Sequence, residues 1–451
     1  MARRKIMFGV GAGVLSTAVD GLAGLLNIHF LFRYLPDTAS GFWLVVVTVG
    51  GLFILSQACL SASVSRHVAR SAAVGTITRH EDSIIRRLTG RLMTVVMLAG
   101  LAVYLGYLRP VADKSLLGAN ASVGWLAYCV GLVFGLYASS RFAVLNGLGE
   151  VGWDKVSRIA ASSGGAALTW LSLRHGWGLS GLGFIFLIQN IAISLMARLL
   201  LDRHKAIANA APARSKPWRL KLGWDRSMPT ATDLSTGRLL GIETSKLLGL
   251  ALVAYLTMNS GIFIIESRFG PAMVSKYAPL IRVATLLVTL ATLIPQTLYP
   301  FVAKAWVTRD FPLHRQLYLA GIALTVGGYG LAALACWFLS PILIPHWLKP
   351  GGFLGQQIMG LVLLVYAMPT INSAFANPVL ASTGRAFFGL SILNLVCVLS
   401  LLWPFTSRWG LAGAPLAMFV GSLPSSVWLG SWSWRLMLNE KHKPKSELSS
   451  L

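Results

Sequence analysis

Arg33-Tyr34-Leu35-Pro36, with Ser40 and Phe42 just beyond, closes an apolar run near the N-terminus, and 235 residues later Arg268-Phe269-Gly270-Pro271, with Ser275 and Tyr277, closes another. The same offset pairs Val144-Leu145 and Gly149 with Val379-Leu380 and Gly384. An offset of 232 pairs Trp177-Gly178-Leu179-Ser180-Gly181 with Trp409-Gly410-Leu411-Ala412-Gly413. Ordered landmarks at nearly one offset indicate a duplicated chain. Each copy carries six long apolar runs, so the expected fold class is an all-α polytopic membrane protein with about 12 transmembrane helices in two six-helix lobes. With six spans each, both lobes enter from the same side, and a pseudo-two-fold axis along the membrane normal relates them. Two such bundles rocking about a shared cleft are the architecture of an alternating-access transporter.

Composition agrees. Of 451 residues, 55% are hydrophobic and 12% charged, with a mean hydropathy of +0.66, more apolar surface than one soluble core can hide. A soluble enzyme is excluded, and the runs lack the alternation of a membrane β-barrel. The runs fall near 7–32, 41–63, 92–108, 122–147, 159–173, 179–201, 239–265, 277–303, 316–344, 358–381, 386–405 and 411–434. The run at 159–173 is short and rich in Ser, Gly and Ala, which suits a helix packed closely against neighbours. Cys59, Cys129, Cys336 and Cys397 all fall inside apolar runs, without disulfide or zinc spacing.

With the N-terminus inside, 27 of the 39 Lys and Arg residues fall in cytoplasmic segments, 8 in external loops and 4 within spans. The positive-inside rule therefore places both termini in the cytoplasm. Most of the net charge of +24 is then topological, and nucleic acid is not an expected partner. The expected domains are an N-terminal six-helix lobe over 1–201, a basic cytoplasmic linker over 202–238, a C-terminal six-helix lobe over 239–435 and a cytoplasmic tail over 436–451. The linker, with Pro212, Pro217 and Pro229, reads as lying on anionic headgroups of the membrane lipid.

Polar groups inside the spans mark the candidate site. In the first span Gly9, Gly13, Ser16, Asp20, Gly24 and Asn27 share one helix face, and in the eighth so do Arg282, Thr285, Thr289, Thr292, Gln296 and Tyr299. Helix packing is the plainer reading of the glycines and threonines. Charges are harder to dismiss, because one at the bilayer centre costs about 3 kcal/mol even on insertion scales. Asp20, the acid deep in a span, is the candidate protonation or ion-coupling group, and Arg282 an anion contact facing the same cleft. The alternative is that the two pair with each other or with backbone. The expected substrate-binding residues are Arg282, Lys246, Thr285, Thr289, Gln296 and Asn27. Lys246 either holds an entering phosphate or pairs locally with Glu243. Arg141 and Arg198 reach the inner interface and are expected to snorkel. No catalytic group, metal site or cofactor is expected, for paired carboxylates, ligand spacing and phosphate-binding Gly loops are all missing from the sequence.

The twelve spans, two lobes, basic linker and the phrase Phe263-Ile-Ile-Glu-Ser-Arg-Phe-Gly-Pro-Ala-Met-Val-Ser-Lys-Tyr277 resemble the polysaccharide transporters of the multidrug/oligosaccharidyl-lipid/polysaccharide exporter superfamily. Within it the chain is similar to Wzx-type flippases of O-antigen or exopolysaccharide repeat units. The resemblance implies a multi-pass protein of the bacterial cytoplasmic (inner) membrane. It implies movement of an undecaprenyl-diphosphate-linked oligosaccharide to the outer leaflet, through a cleft lined by the first two spans of each lobe, for lipopolysaccharide or exopolysaccharide biosynthesis. It also implies a polysaccharide polymerase or export machinery as partner. Cationic side chains suit a diphosphate. The rivals are a drug, cation or small-molecule exporter of the same superfamily and a major-facilitator transporter. The latter's short Gly-x4-Asp-x2-Gly-Arg loop after the second span is missing here, where Val64 to Arg91 is long and basic. A membrane glycosyltransferase or polymerase would need catalytic acids outside, and Asp37, Asp113 and Glu266 lie in different loops.

Overall fold

The structure, a computed structural model, describes residues 2–74, 79–150, 152–210, 231–308, 310–349, 351–383 and 388–439. Among these residues every regular element is helical: α1 (Ala2–Tyr34), α2 (Asp37–Val74), α3 (Arg79–Val103), α4 (Arg109–Lys114), α5 (Gly118–Gly147), α6 (Trp153–Arg174), α7 (Gly178–Ala210), α8 (Ala231–Phe269), α9 (Pro271–Val307), α10 (Phe311–Trp347), α11 (Gln356–Thr383), α12 (Phe388–Trp409) and α13 (Gly413–Asn439). A π turn over Tyr104–Leu108 joins α3 to α4, and these form the third rod; Tyr104 there donates to Ser122 Oγ on α5 at 2.5 Å. Each expected span falls on its own rod. Ten stretches are long and apolar enough to cross a membrane, and Phe388–Arg435 covers both α12 and α13, so the twelfth rod, α6, falls short. Its Ser and Gly residues lower its hydropathy, and neighbours cover its buried face.

The chain divides into two compact units, Met1–Leu252 and Val253–Leu451, and the division falls within α8. Of the linker expected at 202–238, α7 and α8 take up the two ends while residues 211–230 lie outside the described residues, as do 440–451 of the tail.

The duplicated landmarks are helix boundaries. Tyr34 and Phe269 end α1 and α8, and two-residue and one-residue corners follow. In the first, Ser40 Oγ donates to the exposed carbonyls of Leu31 and Pro36. In the second, Gly270 takes φ +78° and its N–H caps Glu266 O at 2.9 Å, before Pro271 opens α9. Gly178 and Gly410 likewise share a left-handed backbone, with φ of +59° and +56°.

In the N unit α5 packs along both α2 and α7. The α5–α7 crossing brings backbone onto backbone: a Cβ on Gly183 would sit 2.1 Å from Gly124 O, and one on Gly124 2.5 Å from Leu179 O. Tyr128 fills the space beside Gly50 and stacks on Phe186, with Trp43 edge-on, so an aromatic layer locks the three helices. In the C unit α9 packs on α10 and α11, and α13 on α11 and α12. Exposed Leu324, Leu331, Phe338 and Ile342 share one face of α10, the surface expected to meet lipid.

Arg141 departs from the snorkelling expectation. Because α3 begins at Arg79, earlier than the apolar run, Asp82 lies on a helix beside α5. Its carboxylate accepts from Arg141 at 3.1 Å and from Arg86 at 2.5 Å. The Arg141 side chain is only 9% exposed and sits over the Tyr137 ring, 5.0 Å from its centroid. Asp82→Ala strands this buried guanidinium, and we expect a stability loss of about 3–5 kcal/mol, read as a lower thermal midpoint in detergent. Adding Arg141→Leu should recover most of the loss. Arg198 stays exposed at the surface and lies 3.8 Å from Asp202, one helical turn on.

Candidate functional site

The N unit holds Asp20 at the seam between α1 and α6, which lie along one another. Ser16, one turn back on α1, donates to Asp20 Oδ2 at 3.3 Å, and Ser162 of α6 donates to Oδ1. The carboxyl is exposed in its unit, and among the described residues no cation pairs with it. The Ser16 contact lies within α1, whereas the Ser162 contact ties α6 to α1. The side-chain contact across the α1–α6 seam thus includes a carboxyl group. The small residues of α6 make this possible. Gln189 of α7 packs its amide against Gly165 and donates to Ala161 O at 2.9 Å, which fixes the turn carrying Ser162.

Gly13 and Gly24 of the α1 stripe make no close helix contact among the described residues. A Cβ added at Gly13 or Gly24 would meet nothing within 4 Å. Asn27 is half-buried, and its Oδ1 has no hydrogen-bond partner. Lys246 is exposed on the part of α8 that belongs to the N unit, and Glu243 faces Arg70 of α2 at 3.7 Å in place of the expected local pair with Lys246.

In the C unit Arg282 of α9 is half-buried. Its charge acts on Tyr255 of α8 and Tyr366 of α11, and Thr285, one turn on, hydrogen-bonds the Tyr366 side chain. Tyr366 in turn donates to Met258 O at 3.3 Å, tying α11 to α8. Among the described residues no carboxylate pairs with Arg282, which leaves its charge available to an anion. The remaining hydroxyls of the stripe turn back on their own helix: Thr289 donates to Thr285 O at 2.8 Å and Thr292 to Thr289 O at 3.1 Å. The Gln296 side chain lies outside the described side chains. Helix α9 continues through Pro279, Pro295 and Pro300.

Two clusters thus emerge from the predicted stripes, Asp20 with Ser16 in the N unit and Arg282 with Thr285 in the C unit. The sequence reading missed Ser162, Tyr255 and Tyr366, which complete them. Ser162 sat in a run noticed only for its small residues, and the two tyrosines belong to no polar stripe. Among the described residues no three His, Cys, Asp or Glu side chains gather as metal ligands.

No protein-family model matches the chain, and no curated protein matches it by sequence. Solved structures do match its fold. An inward-facing multidrug resistance MATE family transporter of the MOP superfamily aligns over 94% of this chain and 95% of its own, with a TM-score of 0.74 and 14% identity. An outward-facing MATE family transporter of the same superfamily aligns over 98% and 97%, with a TM-score of 0.67 and 14% identity. An aspartate-to-asparagine mutant of the Vibrio cholerae MATE transporter VcmN aligns over 97% of each chain, with a TM-score of 0.63 and 15% identity. The chain has the two-lobed, all-helical fold of MATE transporters, and it is an integral membrane protein.

Proposed function

We propose that this protein is a secondary exporter of the MOP superfamily type, which moves small organic molecules across the bacterial inner membrane by alternating access. The fold similarity to transporters in both inward-facing and outward-facing conformations, over 94% and 98% of the chain, carries this reading. Asp20 serves as the coupling site: its protonation or ion binding changes the α1–α6 seam, and the conformational equilibrium follows. The excess of Lys and Arg in the segments that share a side with the N-terminus supports cytoplasmic termini and a linker on the headgroups. Reconstitution into proteoliposomes tests the proposal. An imposed pH or sodium gradient should drive uptake of ethidium or of an uncharged dye; vesicles that respond no better than protein-free ones would reject it.

A specific observation favours a second reading. Arg282 carries a fixed charge that no carboxylate of the described residues neutralises, which suits the diphosphate of an undecaprenyl-linked oligosaccharide and the flippase reading drawn from the sequence. Lys246, exposed on α8, is a separate cation of the N unit, and a polymerase of the polysaccharide pathway would be the partner. The two readings separate in one experiment. If Arg282 holds phosphate, Arg282→Gln lowers flipping of a fluorescent undecaprenyl-diphosphate sugar at least about tenfold. If the exporter reading holds alone, wild-type vesicles move the dye and leave the lipid-linked sugar in place.

A further inference from the structure

The two repeats differ where Asp20 sits. The offset of 235 that aligns the helix corners puts Tyr255 at the place of Asp20, and the offset of 232 that aligns Trp177-Gly178 with Trp409-Gly410 puts Asn394 at the place of Ser162. In the N unit the corresponding helices, α1 and α6, lie together and Ser162 reaches Asp20. In the C unit α8 and α12 do not run along one another among the described residues, and Asn394 finds no partner. Beside them lies an open-sided cavity of about 210 Å³ lined by residues of α8, α11, α12 and α13, all within the C unit.

The wall of this cavity has a definite chemistry. Met258, Met368 and Met418 line it with Tyr366, Asn372 and Asn394, and no charged side chain contributes. The Oδ1 atoms of Asn372 and Asn394 are both shut from solvent without a donor, and neither amide makes a hydrogen bond among the described residues. An amide oxygen kept from solvent without a donor is costly, and these two, on α11 and α12, both border the cavity, where a bound donor could satisfy them. Thioethers and a phenol ring offer polarizable, adaptable contact to a flat apolar body. A cavity of roughly 150 Å³ already holds benzene, so this one has room for a ring with a polar substituent. Arg282 acts on Tyr366 from outside the wall. Arg282 is not among the lining residues, and the lining offers no charge to pair either a cation or an anion.

We infer that this cavity binds an uncharged, ring-sized compound or moiety that carries both a hydrogen-bond donor and an acceptor, held by the amides of Asn372 and Asn394. The inference rests on the exporter reading in that it names the cargo class of the C unit, while the N unit keeps the coupling acid. Duplication has then yielded one seam that carries charge and one pocket that carries cargo.

The test is equilibrium binding of three isosteres, benzamide, benzamidinium and benzoate, to the full-length protein in lipid nanodiscs at pH 7, followed by calorimetry. Benzamide should bind, and the two charged isosteres at least about tenfold more weakly, because each loses either donor–acceptor pairing or solvation. Asn372→Leu and Asn394→Leu should each weaken benzamide about tenfold or more. Both variants remove an unsatisfied amide, so their thermal midpoints should hold or rise. No benzamide binding, equal binding of a charged isostere, or full binding by both well-folded variants would overturn the inference. Equilibrium binding needs no gradient. Absent benzamide binding with intact dye export therefore removes the pocket and leaves the exporter, and the opposite pair of results removes the exporter and leaves the pocket.

Discussion

Gradient-driven export by Asp20→Asn protein should fall at least about tenfold below wild type while binding of cargo at equilibrium persists. A gradient of one pH unit is worth about 1.4 kcal/mol per proton, and it does work only through a group that takes up and releases that proton between conformations. Asparagine keeps the shape: its Oδ1 can accept from one serine and its Nδ2 can donate to the other serine's oxygen, so the α1–α6 contact persists and only the titration is lost. Ser162→Ala should be milder, since Ser16 remains. It should lower export by less than Asp20→Asn does, because Asp20 loses only the contact that reaches it from α6. Export measured in proteoliposomes across a series of imposed gradients checks both, and equal slopes for wild type and Asp20→Asn would remove Asp20 from the mechanism.

The second large effect lies in the N unit's core. Gly183→Leu should yield no monodisperse protein after detergent extraction. Even a Cβ at that position lies 2.1 Å from Gly124 O, and backbone cannot move aside as a side-chain tip can. Overpacking a close-packed site usually costs about 1–3 kcal/mol, and here a whole isobutyl group must enter a backbone contact. Gly164→Ala on α6 is the control, because its added methyl meets nothing within 4 Å. Size-exclusion profiles and thermal midpoints decide the comparison; a well-behaved Gly183→Leu protein would mean that α5 and α7 do not cross as described.

Spans and duplication were legible because hydrophobic run length and helix-breaking corners are local properties. Arg33–Pro36 and Arg268–Pro271 mark helix ends in both units for the same steric reason, a chain that must turn within one or two residues. The polar stripes of α1 and α9 were legible too, since their spacing alone puts those residues on one face. Their partners were not. Ser162 meets Asp20 across 142 residues of sequence, and nothing in the composition of α6 announces it. Arg141 misled for the same reason: Asp82 lies 59 residues away, in a segment read as a loop. The back-bonding of Thr289 and Thr292 to their own helix was likewise not legible from spacing. The Asn372–Asn394 cavity lay beyond reach because it is lined by residues of α8, α11, α12 and α13, whose packing no sequence pattern encodes.

Alternating access itself is tested most directly by distance measurement between the two units. Thr38→Cys and Ser267→Cys place spin labels at exposed positions at the start of α2 and the end of α8, each beside one of the two corners that the repeat aligns, with Cys59, Cys129, Cys336 and Cys397 replaced by alanine. Pulsed electron paramagnetic resonance in nanodiscs should give two distance populations whose ratio shifts between acid and neutral pH in the Asp20 protein and stays fixed in Asp20→Asn. A single population, unmoved by pH and by cargo, would contradict the account.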